Sequence, residues 1–169
     1  PYMFDLIAQE YDKRYGMNTD HLKTIGEINF ANGKVNPNAQ TRGWNFPAGS
    51  FSNDDELNPV IEGCLRKLDC GQITDGAACV ILASEKAAKA HAAKNGLKLA
   101  DIPRIKSWAH RSAPLLLEHK LALSKDQPLL FPHVSKLFDD LLRRGNYNSI
   151  TDLGGLETHD CFTVTEYMA

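Results

Sequence analysis

Residues 73–84 read ITDGAACVILAS. An Asp-Gly pair leads into a continuous run of small and apolar residues, with no polar alternation from Ala77 to Ala83. A run of this kind, containing Val and Ile, is the pattern of a strand buried on both faces. Ser84 follows as an N-cap for EKAAKAHAAKNG, an Ala/Lys helix closed by Gly96. Beyond it, PRIKSWAHRS at 103–112 alternates Ile105, Ser107 and Ala109 with Lys106, Trp108 and His110, the period of a strand. FPHVSKLFDDLLRRGN at 131–146 sets Val134, Leu137, Phe138, Leu141 and Leu142 on one face of an amphipathic helix. LGGLETHDCF at 153–162 predicts another strand ending at a helix start. The order strand–helix–strand–helix–strand predicts an α/β architecture, a mixed sheet with flanking helices.

The first seventy-four residues have a different texture and form an excursion from that layer. Met3, Phe4, Ile7, Ala8, Tyr11 and Tyr15 recur at helical intervals, and Gly16 ends the pattern. Asn18, Thr19 and Asp20 each offer an N-cap for a second helix, which carries Leu22, Ile25, Ile28 and Asn29 on one face and stops near Gly33. The stretch 35–59 is rich in Pro, Asn, Gly and Ser and predicts a long loop. Loops of that length in compact domains are commonly functional or packed on a partner. A short strand is expected around Val60 and Ile61.

The 169 residues carry a formal net charge of −2, with 43% apolar and 24% charged residues. That composition is ordinary for a globular protein. The charge balance, without a basic stripe, argues against a nucleic-acid partner. No apolar run approaches the length of a membrane span. The first residues, PYMFDLIAQEYDKRYG, are mixed in charge and do not resemble a signal peptide. They begin with Pro rather than Met, so the chain is expected to be the interior of something longer. The four cysteines, Cys64, Cys70, Cys79 and Cys161, lack Cys-x-x-Cys spacing and a complementary His pair. Reduced thiols are expected rather than disulfides or a zinc site.

Several stretches together resemble the thiolase superfamily. YGMNTDHLKTIGEINFANGKVNPNAQ at 15–40 is similar to the helical lead-in of the thiolase loop domain, ITDGAACVILAS to the strand that follows it, and PRIKSWAHRS to the first strand of the C-terminal half. HDCF at 159–162 is similar to the signature of the branch related to sterol-carrier-protein thiolase, where the commoner branch carries Asn-Glu-Ala-Phe. The resemblance implies loop-domain-like helices and loop over 1–74. It implies the last strand and helix of the N-terminal thiolase half over 75–100, and the start of the C-terminal half over 101–169. It also implies a CoA thioester as substrate, no prosthetic group or metal, and a homodimer or homotetramer. The implied compartment is the cytoplasm, or the peroxisome if the source is eukaryotic.

The resemblance further implies acyl transfer between CoA thioesters by Claisen-type cleavage or condensation. Such a reaction passes through an enolate whose negative oxygen must meet pre-positioned donors. His159 occupies the family position that helps form an oxyanion hole. The competing reading of the same residue is a satisfied polar His at a strand end. Phe162 matches an aromatic beside the pantetheine arm, with a plain core Phe as the alternative. Arg66, beside Lys67, lies where the loop domain meets CoA, and either pairs with CoA phosphates or is a solvated surface cation. Cys161 completes the substrate-side set as an unreactive thiol, since the family's reactive cysteines lie elsewhere. Asp160 is expected to cap the following helix, and Glu166 to support the helix or the polar network of the site. In the RGWNF loop, Arg42, Trp44 and Phe46 are candidates for contact with a partner or an acyl tail.

The sequence contains no Gly-His-Pro triplet and no Cys-x-Gly, the family's other catalytic motifs, and no counterpart of the upstream nucleophilic Cys. The chain is therefore expected to be a middle segment, inactive alone. The alternative is a non-catalytic, thiolase-like subunit that binds CoA esters or assists assembly.

Overall fold

Helices α1 (Tyr2–Tyr15) and α2 (Thr19–Val35) open the chain where their apolar spacing predicts them. The computed structural model describes every residue, Pro1–Ala169. Gly16, at φ 76°, ends α1, and the Asn18 side chain accepts the Asp20 N–H at 3.0 Å to start α2. Helix α2 runs through Gly33 to Val35, because the chain stays helical until Asn36 turns extended.

The long loop after α2 contains one short helical turn, Gln40–Gly43, and a cluster of rings. Phe30 of α2 meets Phe46 edge-on at 4.7 Å between centroids and lies 5.8 Å from Phe51 and 6.1 Å from Trp44. The loop is thus held down by aromatic packing rather than by backbone pairing. It leads into an antiparallel hairpin of β1 (Val60–Glu62) and β2 (Leu65–Arg66), with Val60 opposite Arg66 and Glu62 opposite Leu65. Gly63 makes the turn at φ 50°. A Cβ there would stand 2.1 Å from an Asp5 carboxylate oxygen, so both the backbone and the space demand glycine.

The last helix, α6 (Thr163–Tyr167), returns to this first part of the chain and packs on α2. Residues 1–74 and 157–169 form one compact unit. Its core is Ala8, Leu22, Leu65 and Val164, flanked by Phe4, Met17, Phe162 and Tyr167. The Asn18 N–H also donates to the Tyr167 hydroxyl at 3.2 Å.

Residues 75–156 form a second unit. It contains α3 (Glu85–Lys94), capped by Ser84 as expected, α4 (Leu117–Leu123) and α5 (Pro132–Gly145). Proline at the start of α5 and a left-handed Asn146 at φ 58° after it mark the ends of that helix.

The fold differs from expectation in its sheet. The structure is helix-rich, and its one sheet is the two-stranded hairpin. Residues 71–84, 103–112 and 155–160 run outside any named strand. In the first of these Val80 is 81% and Ile81 89% exposed, so the run that predicted a doubly buried strand is not buried on either face. A strand is a non-local object: apolar composition prepares a segment for a ladder but supplies no partner to complete it. The 103–112 stretch is instead held along α5 by side chains. The Ser107 hydroxyl donates to the Leu141 carbonyl at 2.6 Å, and Arg111 pairs with Asp140. The Arg144 guanidinium sits 4.4 Å from the centre of the Trp108 ring and donates to the Trp108 carbonyl at 2.9 Å. Without a sheet beneath it, α5 keeps its apolar face only half covered, and no residue of that helix is fully buried.

Candidate functional site

The 158–162 segment is fixed from three sides. Its C-terminal end pairs with the turn after β2: Phe162 and Cys70 form an antiparallel bridge, and the Gly71 N–H donates to the Cys161 carbonyl at 2.7 Å. That carbonyl stands 3.0 Å from where a Gly71 Cβ would be, so the close approach rests on the missing side chain. The Thr165 hydroxyl, one turn into α6, donates to the Phe162 carbonyl at 2.6 Å and to the His159 carbonyl at 3.3 Å.

The third tie comes from α2. The Asn29 side-chain amide donates to Asp160 Oδ2 at 2.6 Å and to Glu166 Oε2 at 2.8 Å. Two carboxyl groups therefore converge on one amide nitrogen. Burial pushes the Asp160 carboxyl above its ordinary range, and the neighbouring Glu166 charge pushes it the same way; the Asn29 hydrogen bond opposes them. The other Asp160 oxygen, Oδ1, is buried without a hydrogen-bond partner.

This arrangement corrects the expectation for Asp160. The N-cap of α6 is Phe162, with no side-chain cap, and Asp160 turns to α2 instead. Glu166 joins the polar network through the same amide. Asn29 was visible only as one member of a helix face, because its partners lie 131 and 137 residues along the chain. Asp69 gave no signal in the sequence. It is buried, accepts the Arg66 N–H and the Thr163 hydroxyl at 2.8 Å each, and so ties β2 to α6.

The structure places the sequence-derived site residues as follows. His159 is exposed, next to the clasped Asp160. Cys161 is half-buried and free. Phe162 is half-buried, stacked on Phe4 of α1 with ring centroids 4.0 Å apart, at the edge of the core. Arg66 belongs to the same unit, but its guanidinium is engaged: Nη1 donates to Asp55 at 2.7 Å and to the Asn58 carbonyl at 2.7 Å. Trp44 and Phe46 of the RGWNF loop pack with Phe30. No group of three or more His, Cys, Asp or Glu side chains is placed to hold a metal ion.

A small cavity of about 130 Å³ lies against this segment, lined by Asn29, Thr41, Asp69, Cys70, Asp160 and Thr163 among others. A larger hollow of about 350 Å³ belongs to the 75–156 unit, between Ile81, Leu82, Ala88, Ile102 and Ile105. No helix is long and apolar enough to cross a membrane.

Comparison with known proteins covers nearly all of the chain. It is 25% identical over 170 residues to the acetyl-CoA acetyltransferase of Methanothermobacter thermautotrophicus, across 100% of this chain and 39% of that protein. It is 28% identical over 175 residues to the non-specific lipid-transfer protein-like 2 of Caenorhabditis elegans, across 97% of this chain and 37% of the relative. It is 27% identical over 173 residues to the sterol carrier protein 2 of Oryctolagus cuniculus, across 99% of this chain and 28% of the relative. These similarities support a thiolase-related family. The chain spans less than two fifths of the length of each of these relatives. No protein-family model matches the chain, and no solved structure matches it.

Proposed function

We propose that this chain is a segment of an acyl-CoA thiolase that transfers acyl groups between CoA thioesters by Claisen-type cleavage or condensation. The observation that carries the reading is the similarity to an acetyl-CoA acetyltransferase along the entire chain. In that reaction the thioester carbonyl oxygen takes on negative charge as the enolate forms, and collapses back to a carbonyl when the carbon–carbon step is complete. His159 is the donor to that oxygen. It sits exposed on a segment fixed by Gly71, Thr165 and Asn29, which is the kind of pre-organisation that lets one N–H act without reorganising during the reaction. CoA is a substrate here, and no prosthetic group takes part.

The other members of the site have supporting parts. Phe162 and Cys161 line the approach of the pantetheine arm from the side of the core. Arg66 faces CoA phosphates by exchanging its exposed Asp55 partner for a more highly charged one. The active assembly is a homodimer or homotetramer, acting in the cytoplasm or, in a eukaryote, the peroxisome. The nucleophile and the acid–base pair come from outside these 169 residues.

A second reading has an observation of its own. Two of the three relatives carry lipid-transfer or sterol-carrier names, which favours a thiolase-like subunit that binds lipid or CoA esters without turning them over. Acetoacetyl-CoA thiolysis by the intact gene product separates the two. Under the enzyme reading, His159→Ala lowers kcat by about 10²–10³ and changes KM little, the usual loss for one oxyanion donor. Full activity in His159→Ala sinks the assignment of that residue. Binding of acetyl-CoA with no thiolysis by the intact product supports the carrier reading.

A further inference from the structure

Asn29 has no role in any chemistry described so far, yet it is the residue on which the segment around His159 closes. One side-chain amide spans Asp160 and Glu166, at 2.6 and 2.8 Å. Two ionised carboxylates at one neutral donor repel each other, and burial of one of them makes that repulsion stronger. The ionisable groups facing the pair are few. His159 and Cys161 flank Asp160 on its own segment, and Asp69 and Cys70 line the same cavity from the turn after β2. Asp69 is already engaged by the Arg66 N–H and the Thr163 hydroxyl. The charges acting on Asp160 are Glu166 and, in the opposite sense, His159, with no lysine or arginine among them. An amide cannot supply positive charge, so the cost of bringing the two carboxyls together falls on the buried Asp160, which is pushed above its ordinary range.

We propose that Asn29 is a positioning residue for His159: its amide clasps the Asp160 and Glu166 carboxyls together, and this clasp fixes the turn that presents the imidazole. The geometry gives the reason. Asp160 is the next residue after His159, and Glu166 lies on α6, so the clasp anchors both ends of the turn to α2 at one point. Asp160 Oδ1, buried and without a partner, favours the protonated form of that carboxyl. The consequence for catalysis rests on the proposed role of His159, but the clasp itself does not.

The test uses the 169-residue chain and carboxyl ¹³C NMR. In the unmodified chain Asp160 keeps its proton above the ordinary carboxylate range. Glu166→Gln keeps an acceptor for Asn29 and removes the like charge, so Asp160 returns toward its ordinary value with the fold intact. Asn29→Ala raises hydrogen exchange at the Gly71 N–H, the donor to Cys161, by about tenfold, the loss of one modest hydrogen bond. Ordinary titration of Asp160 overturns the electrostatic pairing of the two carboxyls. An Asp160 titration that Glu166→Gln does not move overturns it as well, and decides the matter even if Asn29→Ala fails to fold. Unchanged Gly71 exchange in a folded Asn29→Ala overturns the positioning role. These readouts need no turnover, so they fail or succeed independently of the thiolase reading.

Discussion

The Asp5 carboxylate on α1 accepts the backbone N–H of Cys64 at 3.0 Å, across the turn of the β1–β2 hairpin. It accepts the Gln9 side-chain amide at 2.6 Å as well, and Asp5 is only 3% exposed. Asp5→Ala leaves a half-buried N–H without its acceptor and costs about 1–3 kcal/mol in chemical denaturation. Asp5→Asn keeps an acceptor and costs less. Gly63→Ala attacks the same junction from the other side. It adds a methyl where the carboxylate stands and asks an L-residue to hold φ 50°, for a loss of about 2 kcal/mol or more. A neutral outcome for both Asp5→Ala and Gly63→Ala shows that the junction does not hold the unit together.

The same junction governs thiol reactivity. Burial, reinforced by the Asp5 charge, pushes the Cys64 thiol up to about 11. Cys70 shifts upward for the same first cause, with Asp69 adding to it. Cys79 stands exposed on the extended 71–84 stretch. At pH 8 an alkylating reagent reacts first at the exposed Cys79, and Cys64 carries a thiolate fraction about a hundredfold below that of an ordinary thiol. Peptide mapping of partially alkylated chain reads the order directly. Labelling of Cys64 at the rate of Cys79 contradicts it.

Asp160 and Asp140 respond to pH in opposite directions. Asp160 has a raised folded pKa, so its contribution to stability is complete below the ordinary carboxylate value and is lost as pH rises through the folded value. Asp140 has a lowered pKa, held by Arg143 first and by Arg111, so its contribution is present above the ordinary value and is lost as pH falls. The Asp140 pairs are solvent-screened and small. Hydrogen exchange, corrected for intrinsic rates, therefore shows 160–167 better protected at pH 4 than at pH 7, and the 107–111 stretch along α5 better protected at pH 7. A common trend in both places removes the assignment.

Val80, Ile81 and Leu82 form an exposed apolar run whose backbone belongs to no ladder. Such an edge invites pairing with another chain. Sedimentation velocity at rising concentration shows self-association, and Ile81→Lys weakens it. Thermolysin, which cuts before bulky apolar residues, opens the chain within 80–82 before it reaches Leu65 or Val164, which are fully buried. Early cleavage at those core positions disproves this order of protection.

Sequence reading captured what local chemistry decides. Gly16 and Asn18 mark the junction of α1 and α2, Ser84 caps α3, and the apolar stripe of 131–146 becomes α5. It missed what distant partners decide. ITDGAACVILAS has the composition of a buried strand, but burial needs a neighbouring ladder, and a single segment carries no record of one. The site shows the same division. HDCF stood out by its resemblance to a family signature, whereas Asn29 looked like one more polar residue on a helix, and only folding brings it to Asp160. The expected helix cap by Asp160 failed because a longer-range amide competed with the local N–H groups and won.

Val164 completes the core formed by Ala8, Leu22 and Leu65, although the whole of 75–156 separates it from them along the chain. During vectorial synthesis, α1, α2 and the hairpin are made before the whole of 75–156, and only after it does this apolar plug emerge. Until then the nascent chain exposes a socket at Leu22 and Leu65. Closure of this core therefore waits on a segment made long after the helices it joins, whatever the order in which those helices form.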